Sequence, residues 1–143
     1  MNHRNTLLLA TAAILLQACS GGSDQASANR VYIVSPTNGS TVTSPVTIEF
    51  GIEGFTLAPA GTSDAGTGHH HLMVDTPLPP LDQPIPASDK HLHFGKAQAS
   101  TVLELQPGDH TLQLLLGDGN HIPHSTPLIS DPIIITIIAE AVE

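Results

Sequence analysis

The chain has 143 residues, with thirteen acidic against four basic side chains, a formal charge of −9, 3% aromatic residues and no Trp. A surface this acidic repels a phosphate backbone, which excludes nucleic-acid binding by counterion release, and the scarcity of aromatics leaves no stacking platform for sugars or bases. Nine histidines and a single cysteine are the unusual features that remain.

The first segment, MNHRNTLLLATAAILLQACS, is organised as an export signal. Arg4 supplies a positive start and Leu7 to Leu16 an apolar run too short to cross a hydrocarbon core, which takes about 20 residues. The site Leu16-Gln17-Ala18-Cys19 resembles the lipobox of bacterial lipoproteins. The expectation is removal of residues 1–18 and lipidation of Cys19, which anchors the protein to a membrane. Ser20, rather than Asp, follows the cysteine; this resembles lipoproteins sent on to the outer membrane, here facing the periplasm. Residues 19–29 are small and polar, as suits a flexible tether. Cleavage removes Arg4 and no acid, so −9 becomes −10, and 125 of the 143 residues remain. Residues 30–143 are then one domain with room for a modest core. With Cys19 lipidated, the domain has neither a disulfide nor a thiolate.

From residue 30 onward no helical period is evident, and twelve Pro and twelve Gly punctuate the whole chain. Arg30–Ser35 predicts a first strand, closed by the turn Pro36-Thr37-Asn38-Gly39. Val46 to Ile52 alternates, with Val46, Ile48, Phe50 and Ile52 on one face and Thr47, Glu49 and Gly51 on the other. Residues 54–68 predict a loop that leads into a strand at His69–Asp75. Residues 76–90 (TPLPPLDQPIPASDK) hold five prolines and predict an extended connection. Further strands are expected at His91–Phe94, Thr101–Leu105, His110–Leu116 and Ile129–Ile138. The fold class is therefore all-β: an immunoglobulin-like antiparallel β-sandwich with Greek-key connections and about seven strands. A cupredoxin-type or other Greek-key barrel is the alternative.

All histidines but His3 fall between residues 69 and 124. Strand residues i and i+2 share a face, so His69 and His71 point with Met73, opposite His70, Leu72 and Val74. His91 and His93 likewise point together, a natural two-imidazole clamp for a metal. His121 and His124 precede the last strand, beside Asp118 and Asn120. In an immunoglobulin-like topology the loops at one end bring His69, His71, His121 and His124 together, and the 91–93 pair joins if its strand lies at the near edge. The candidate metal ligands are His69, His71, His91, His93, His121 and His124, with His70 and Asp118 as further possibilities. His110, in phase with Leu112, Leu114 and Leu116, reads as a packed or hydrogen-bonded side chain. Imidazole ligands suit transition metals, whereas calcium and magnesium need oxygen cages. Lipidation of the only thiol closes a blue-copper centre. Copper(II) or zinc remains, with copper the leading ion because it binds such sites more tightly.

The wording GHHHLMVD, then IPASDKHLHFGKAQ, then LQPGDHTLQLLLGDGNHIPH resembles the bacterial family called domain of unknown function 4399, with Ala97 where its HLHFGKGQ-type motif has glycine. The resemblance covers residues 68 to about 138 and implies an envelope domain without implying an activity. A sandwich with an HxH pair is also similar to copper–zinc superoxide dismutase, but this chain lacks that family's disulfide pair and histidine order. Three functions follow as expectations. A metal-binding lipoprotein that is not an enzyme leads, ahead of a metal-free envelope interaction module and a dismutase-like metalloenzyme. No nucleophile–base pair or paired-carboxylate spacing stands out.

Overall fold

The computed structural model describes residues 28–139. The expected leader, the expected lipidation site at Cys19 and most of the expected tether lie outside the described residues. Nine strands are present among those described: β1 (Arg30–Ser35), β2 (Thr41–Thr43), β3 (Val46–Glu53), β4 (Thr56–Leu57), β5 (Thr67–Val74), β6 (His91–His93), β7 (Ser100–Leu103), β8 (Gly108–Gly117) and β9 (Ile133–Ile138). No helix occurs among the described residues, and so none there is long and apolar enough to cross a membrane.

The strands form two sheets, one of β1-β3-β7 and one of six strands in the order β2-β9-β8-β5-β4, with β6 also paired to β5. Their inner faces interlock as a sandwich. Val31, Val46, Ile48 and Phe50 from the small sheet pack against Leu72, Val74, Leu112, Leu114, Leu116, Ile135 and Ile137 from the large one. Each such side chain contributes roughly 1.5–3 kcal/mol on full burial. This is the all-β, immunoglobulin-like sandwich that the alternating strands predict. β3 follows its pattern closely, with Val46, Ile48 and Phe50 buried and Thr47 and Glu49 exposed. Gly51 departs from the pattern and is buried, because the Tyr32 ring lies where its side chain would be.

Two short pairings are parallel, β2 with β9 and β4 with β5. They hold only three and two residue pairs, too few for any alternation to announce them in the sequence. The last strand is shorter than the run from Ile129 suggests, beginning at Ile133 after Pro132. Ile129 instead makes an isolated bridge to Leu115.

β5 is buried along almost its whole length, on both faces. His70, Leu72 and Val74 point into the main core region, while Met73 packs with Leu115 and Ile85 in a second, smaller cluster on the outer face. Ile85 comes from the proline-rich segment 76–90, which therefore covers the outer face of the large sheet as well as connecting two strands. Leu78 and Ile129 add to this cover. His69 and His71, on the same face of β5 as Met73, lie on the covered side, whereas His70 faces the main core.

Candidate metal centre

The site is built on β5 at the point where the partner strand changes. β4 occupies the edge beside Thr67 and Gly68, and β6 takes over at His71. On the other edge β8 runs antiparallel, pairing His69 with Gly117 and His71 with Leu115. Register places His93 of β6 directly beside His71, and His91 beside Met73. His69, His71 and His93 consequently converge, each offering a nitrogen within 4.8 Å of the other two.

His121 is the fourth ring of this group, with its centroid 4.7 Å from that of His93, 5.0 Å from His69 and 6.0 Å from His71. It is delivered by a tight loop that Asp118 organises. The Asp118 carboxylate accepts hydrogen bonds from the Asn120 and Ile122 backbone N–H groups, at 2.8 and 2.9 Å. His121 adopts φ 66°, in the left-handed region where a non-glycine residue costs free energy unless its surroundings hold it. Its N–H donates to the Asp118 carbonyl and its carbonyl accepts from the Ile85 N–H at 2.8 Å. The loop is thus tied to the proline-rich cover.

Two glycines make room for the rings. A Cβ on Gly117 would stand 2.9 Å from His71 Nε2, and one on Gly95 would stand 2.6 Å from His93 Nε2. Both positions are closer than side chains normally approach. Only glycine lets the backbone pass so near these imidazoles.

The other candidate ligands go elsewhere. His91 shares a face with His93 but sits one pair further along, where its Nδ1 is 3.1 Å from the Ser88 hydroxyl. His124 stacks edge-on against Phe55 at 4.8 Å and has no ring contact with the four-histidine group. His70 lies on the opposite face, its ring 5.2 Å from that of Phe50. Asp118 shapes the loop, and both it and His121 fall outside the group of three whose ligand atoms lie within 4.8 Å of one another, His121 joining that group by ring contacts alone. His110 is hydrogen-bonded to the Asp75 carboxylate at 2.7 Å and to the Gln106 carbonyl at 2.8 Å. The spacing of the sequence motifs separates His93 from His91 no better than it separates His121 from His124. Strand register makes the first choice, and the loop's backbone reversal makes the second.

Burial favours the uncharged form of His69, His71 and His93. His69 is pushed down to about 4 by burial, with repulsion from His93 and His121 adding to the effect and Asp118 opposing it. His71 is pushed down to about 3, again by burial first, then by His69, His93 and His121. His93, more exposed, is lowered by partial burial and by His121. The neutral imidazole is the form that donates a lone pair to a metal. Among the described residues the only side-chain hydrogen bond of His69 and His71 is the one between their Nε2 atoms, 3.1 Å long. Their buried Nδ1 atoms have no protein partner among the described residues. The donor set fits an imidazole-loving transition metal, since it contains no carboxylate and no thiolate.

Fold and site together define a β-sandwich module in which two buried histidines of a central strand meet an exposed histidine of the neighbouring strand and a fourth histidine from a loop. A family model described as "Domain of unknown function (DUF4399)" matches residues 48–138, which include all four clustered histidines. The chain belongs to this family. No curated protein matches it.

Among solved structures, an endo-beta-1,4-mannanase from Thermotoga petrophila aligns over 83% of this chain at 11% identity with a TM-score of 0.50. The alignment spans 22% of the mannanase chain, so the likeness is one of fold to part of that enzyme. The fibronectin(III)-like modules of Clostridium thermocellum CbhA align over 79% of this chain and 99% of theirs, at 10% identity and a TM-score of 0.40.

Proposed function

We propose that this protein is an exported lipoprotein, held on the outer membrane through lipid on Cys19, that binds copper(II) or zinc to buffer, deliver or sense the ion in the periplasm. The observation that carries this reading is the convergence of His69, His71 and His93, three neutral imidazoles whose nitrogens approach within 4.8 Å. Bringing three like-charged groups together, two of them buried, is costly if they protonate, and the cost is offset when a cation takes the place of the protons. No catalytic step belongs to this reading; binding alone accounts for the ligand set. The lipobox-like Leu16-Gln17-Ala18-Cys19 supports the address, and the tether supports a domain that reaches away from the bilayer.

The test is a metal titration of the purified protein against a variant with His69→Ala and His71→Ala. About one equivalent of copper(II) or zinc should bind the wild type and not the variant. Equal, weak binding to both would end the proposal. The His69–His71 hydrogen bond favours a second reading, a metal-free interaction module in which the histidines pair with one another. Thermal unfolding unmoved by chelator and by added metal would support that module instead.

A further inference from the structure

Resting on the metal-binding reading, we infer that His121 is the fourth ligand of a closed, tetrahedral site for zinc(II), formed with His69, His71 and His93. The inference comes from the relative placement of all four rings. Their six centroid separations are 4.9 Å for 69–71, 4.9 Å for 69–93, 5.0 Å for 69–121, 5.1 Å for 71–93, 6.0 Å for 71–121 and 4.7 Å for 93–121.

Four imidazoles bonded tetrahedrally at ~2.0–2.1 Å place every pair of centroids roughly 5.2 Å apart. Square-planar bonding at the same distance gives four pairs at roughly 4.5 Å and two at roughly 6.4 Å, each of the two long pairs spanning a diagonal. Here five separations cluster and one is longer. If the 71–121 pair were one diagonal of a square, the other would be 69–93, yet that pair is as close as the rest. The arrangement is a tetrahedron stretched along one edge.

The stretched edge runs to His121, the one ring of the four that stands on a loop. His69, His71 and His93 are set by strand register, and His121 alone must turn toward them to complete the set. Geometry then discriminates between ions. Copper(II) favours tetragonal nitrogen sites, whereas zinc(II), with a filled d shell, accepts the tetrahedron without penalty. Four imidazoles also leave no open position for a substrate, as in a site that holds its ion instead of reacting through it.

The full-length protein, solubilised in detergent and carrying no histidine tag, provides the test. Its retained metal is measured, and cobalt(II) is then titrated in as a spectroscopic stand-in for zinc. We expect zinc to be retained and cobalt(II) to give the intense visible absorption of a four-coordinate ion, bleached by one equivalent of zinc. In His121→Asn, which tolerates the left-handed backbone, the band should collapse toward the weak absorption of higher coordination, with zinc affinity lowered ~100-fold. Retention of copper in place of zinc would overturn the inference. So would a cobalt(II) band that is the same in wild type and His121→Asn. If in either case His69→Ala still abolishes binding, the metal-binding reading survives without the tetrahedral assignment; if wild type binds no metal, both fall.

Discussion

The Nε2 atoms of His69 and His71 lie 3.1 Å apart, carried by two residues that one strand projects from the same face. Two nitrogens bound to one ion at 2.0–2.1 Å are separated by roughly 2.9 Å at a right angle and roughly 3.4 Å at the tetrahedral angle. The observed spacing falls between these values, so an ion can replace the shared proton with little movement of either ring. Replacing either histidine by Ala should therefore weaken metal binding by ~100-fold or more, beyond what loss of a supporting outer-shell residue costs. Isothermal titration with zinc checks this, and His91→Ala and His124→Ala should stay within a few-fold of wild type.

Gly117 and Gly95 offer a paired test of how the site is made. A Cβ at Gly117 meets the buried His71 ring and stands 3.3 Å from Ile85 Cδ1, where neither neighbour has room to retreat. Gly117→Ala should cost about 1–3 kcal/mol of stability through overpacking, and should weaken metal binding as well. A Cβ at Gly95 meets the ring of His93, an exposed residue that can swing aside. Gly95→Ala should leave the urea midpoint near wild type while lowering metal affinity. Chemical denaturation and metal titration on both variants separate the two effects.

His70 is a buried imidazole with both ring nitrogens unpartnered, held in an apolar setting against Phe50. An unsatisfied buried polar atom costs about 1–3 kcal/mol. His70→Leu should raise stability at neutral pH by at least about 1 kcal/mol, and it should leave metal affinity unchanged because the side chain points away from the cluster. A destabilised His70→Leu would mean that these nitrogens have partners after all.

Acid should unfold the apoprotein early. In the unfolded chain these histidines titrate near 6.5, whereas burial lowers His69 and His70 to about 4 and His71 to about 3 in the fold. The folded state binds fewer protons, so the stability is fully present above pH 6.5 and is lost as pH falls through 6.5 toward 4 and 3. His110 works in the opposite sense. Partial burial lowers it, but the Gln106 carbonyl and Asp75 together raise it, so its contribution is present below 6.5 and fades above. Four lowered histidines, His93 among them, outweigh one raised one. The urea midpoint should fall steadily from pH 7 to pH 4, less steeply in His70→Leu, and a midpoint that is flat or rises on acidification would contradict this account.

The proposed anchor can be tested independently of the metal. Cys19→Ala should release the protein from the membrane fraction, since lipid on that residue is the proposed tie. Wild type and Cys19→Ala partitioning alike would remove the lipoprotein reading and leave the site untouched.

Much of the sandwich is legible in the sequence because alternation carries it. Val46, Ile48 and Phe50 declare the buried face of β3, and β1 and β6 begin at the residues their patterns indicate. The second layer of burial is not legible. Residues 76–90 lack periodicity because prolines set their backbone, so nothing local says that Ile85 returns to pack on Met73 and Leu115. The histidine motifs are plain as chemistry but ambiguous as geometry. Alternation separates His70 from His69 and His71, yet it cannot say which of His91 and His93 stands beside His71, because that depends on where β6 meets β5. The choice between His121 and His124 rests on a loop built by Asp118 and a left-handed residue, neither of which leaves a period in the sequence.

On this reading His69, His71, His93 and His121 hold a metal ion. Elemental analysis of untagged protein purified from its native membrane, beside a His69→Ala, His71→Ala double variant prepared in the same way, tests it most directly. About one zinc or copper ion is expected per wild-type chain and essentially none in the variant. Metal-free wild type that also fails to bind an added equivalent, or equal metal content in both proteins, would contradict it.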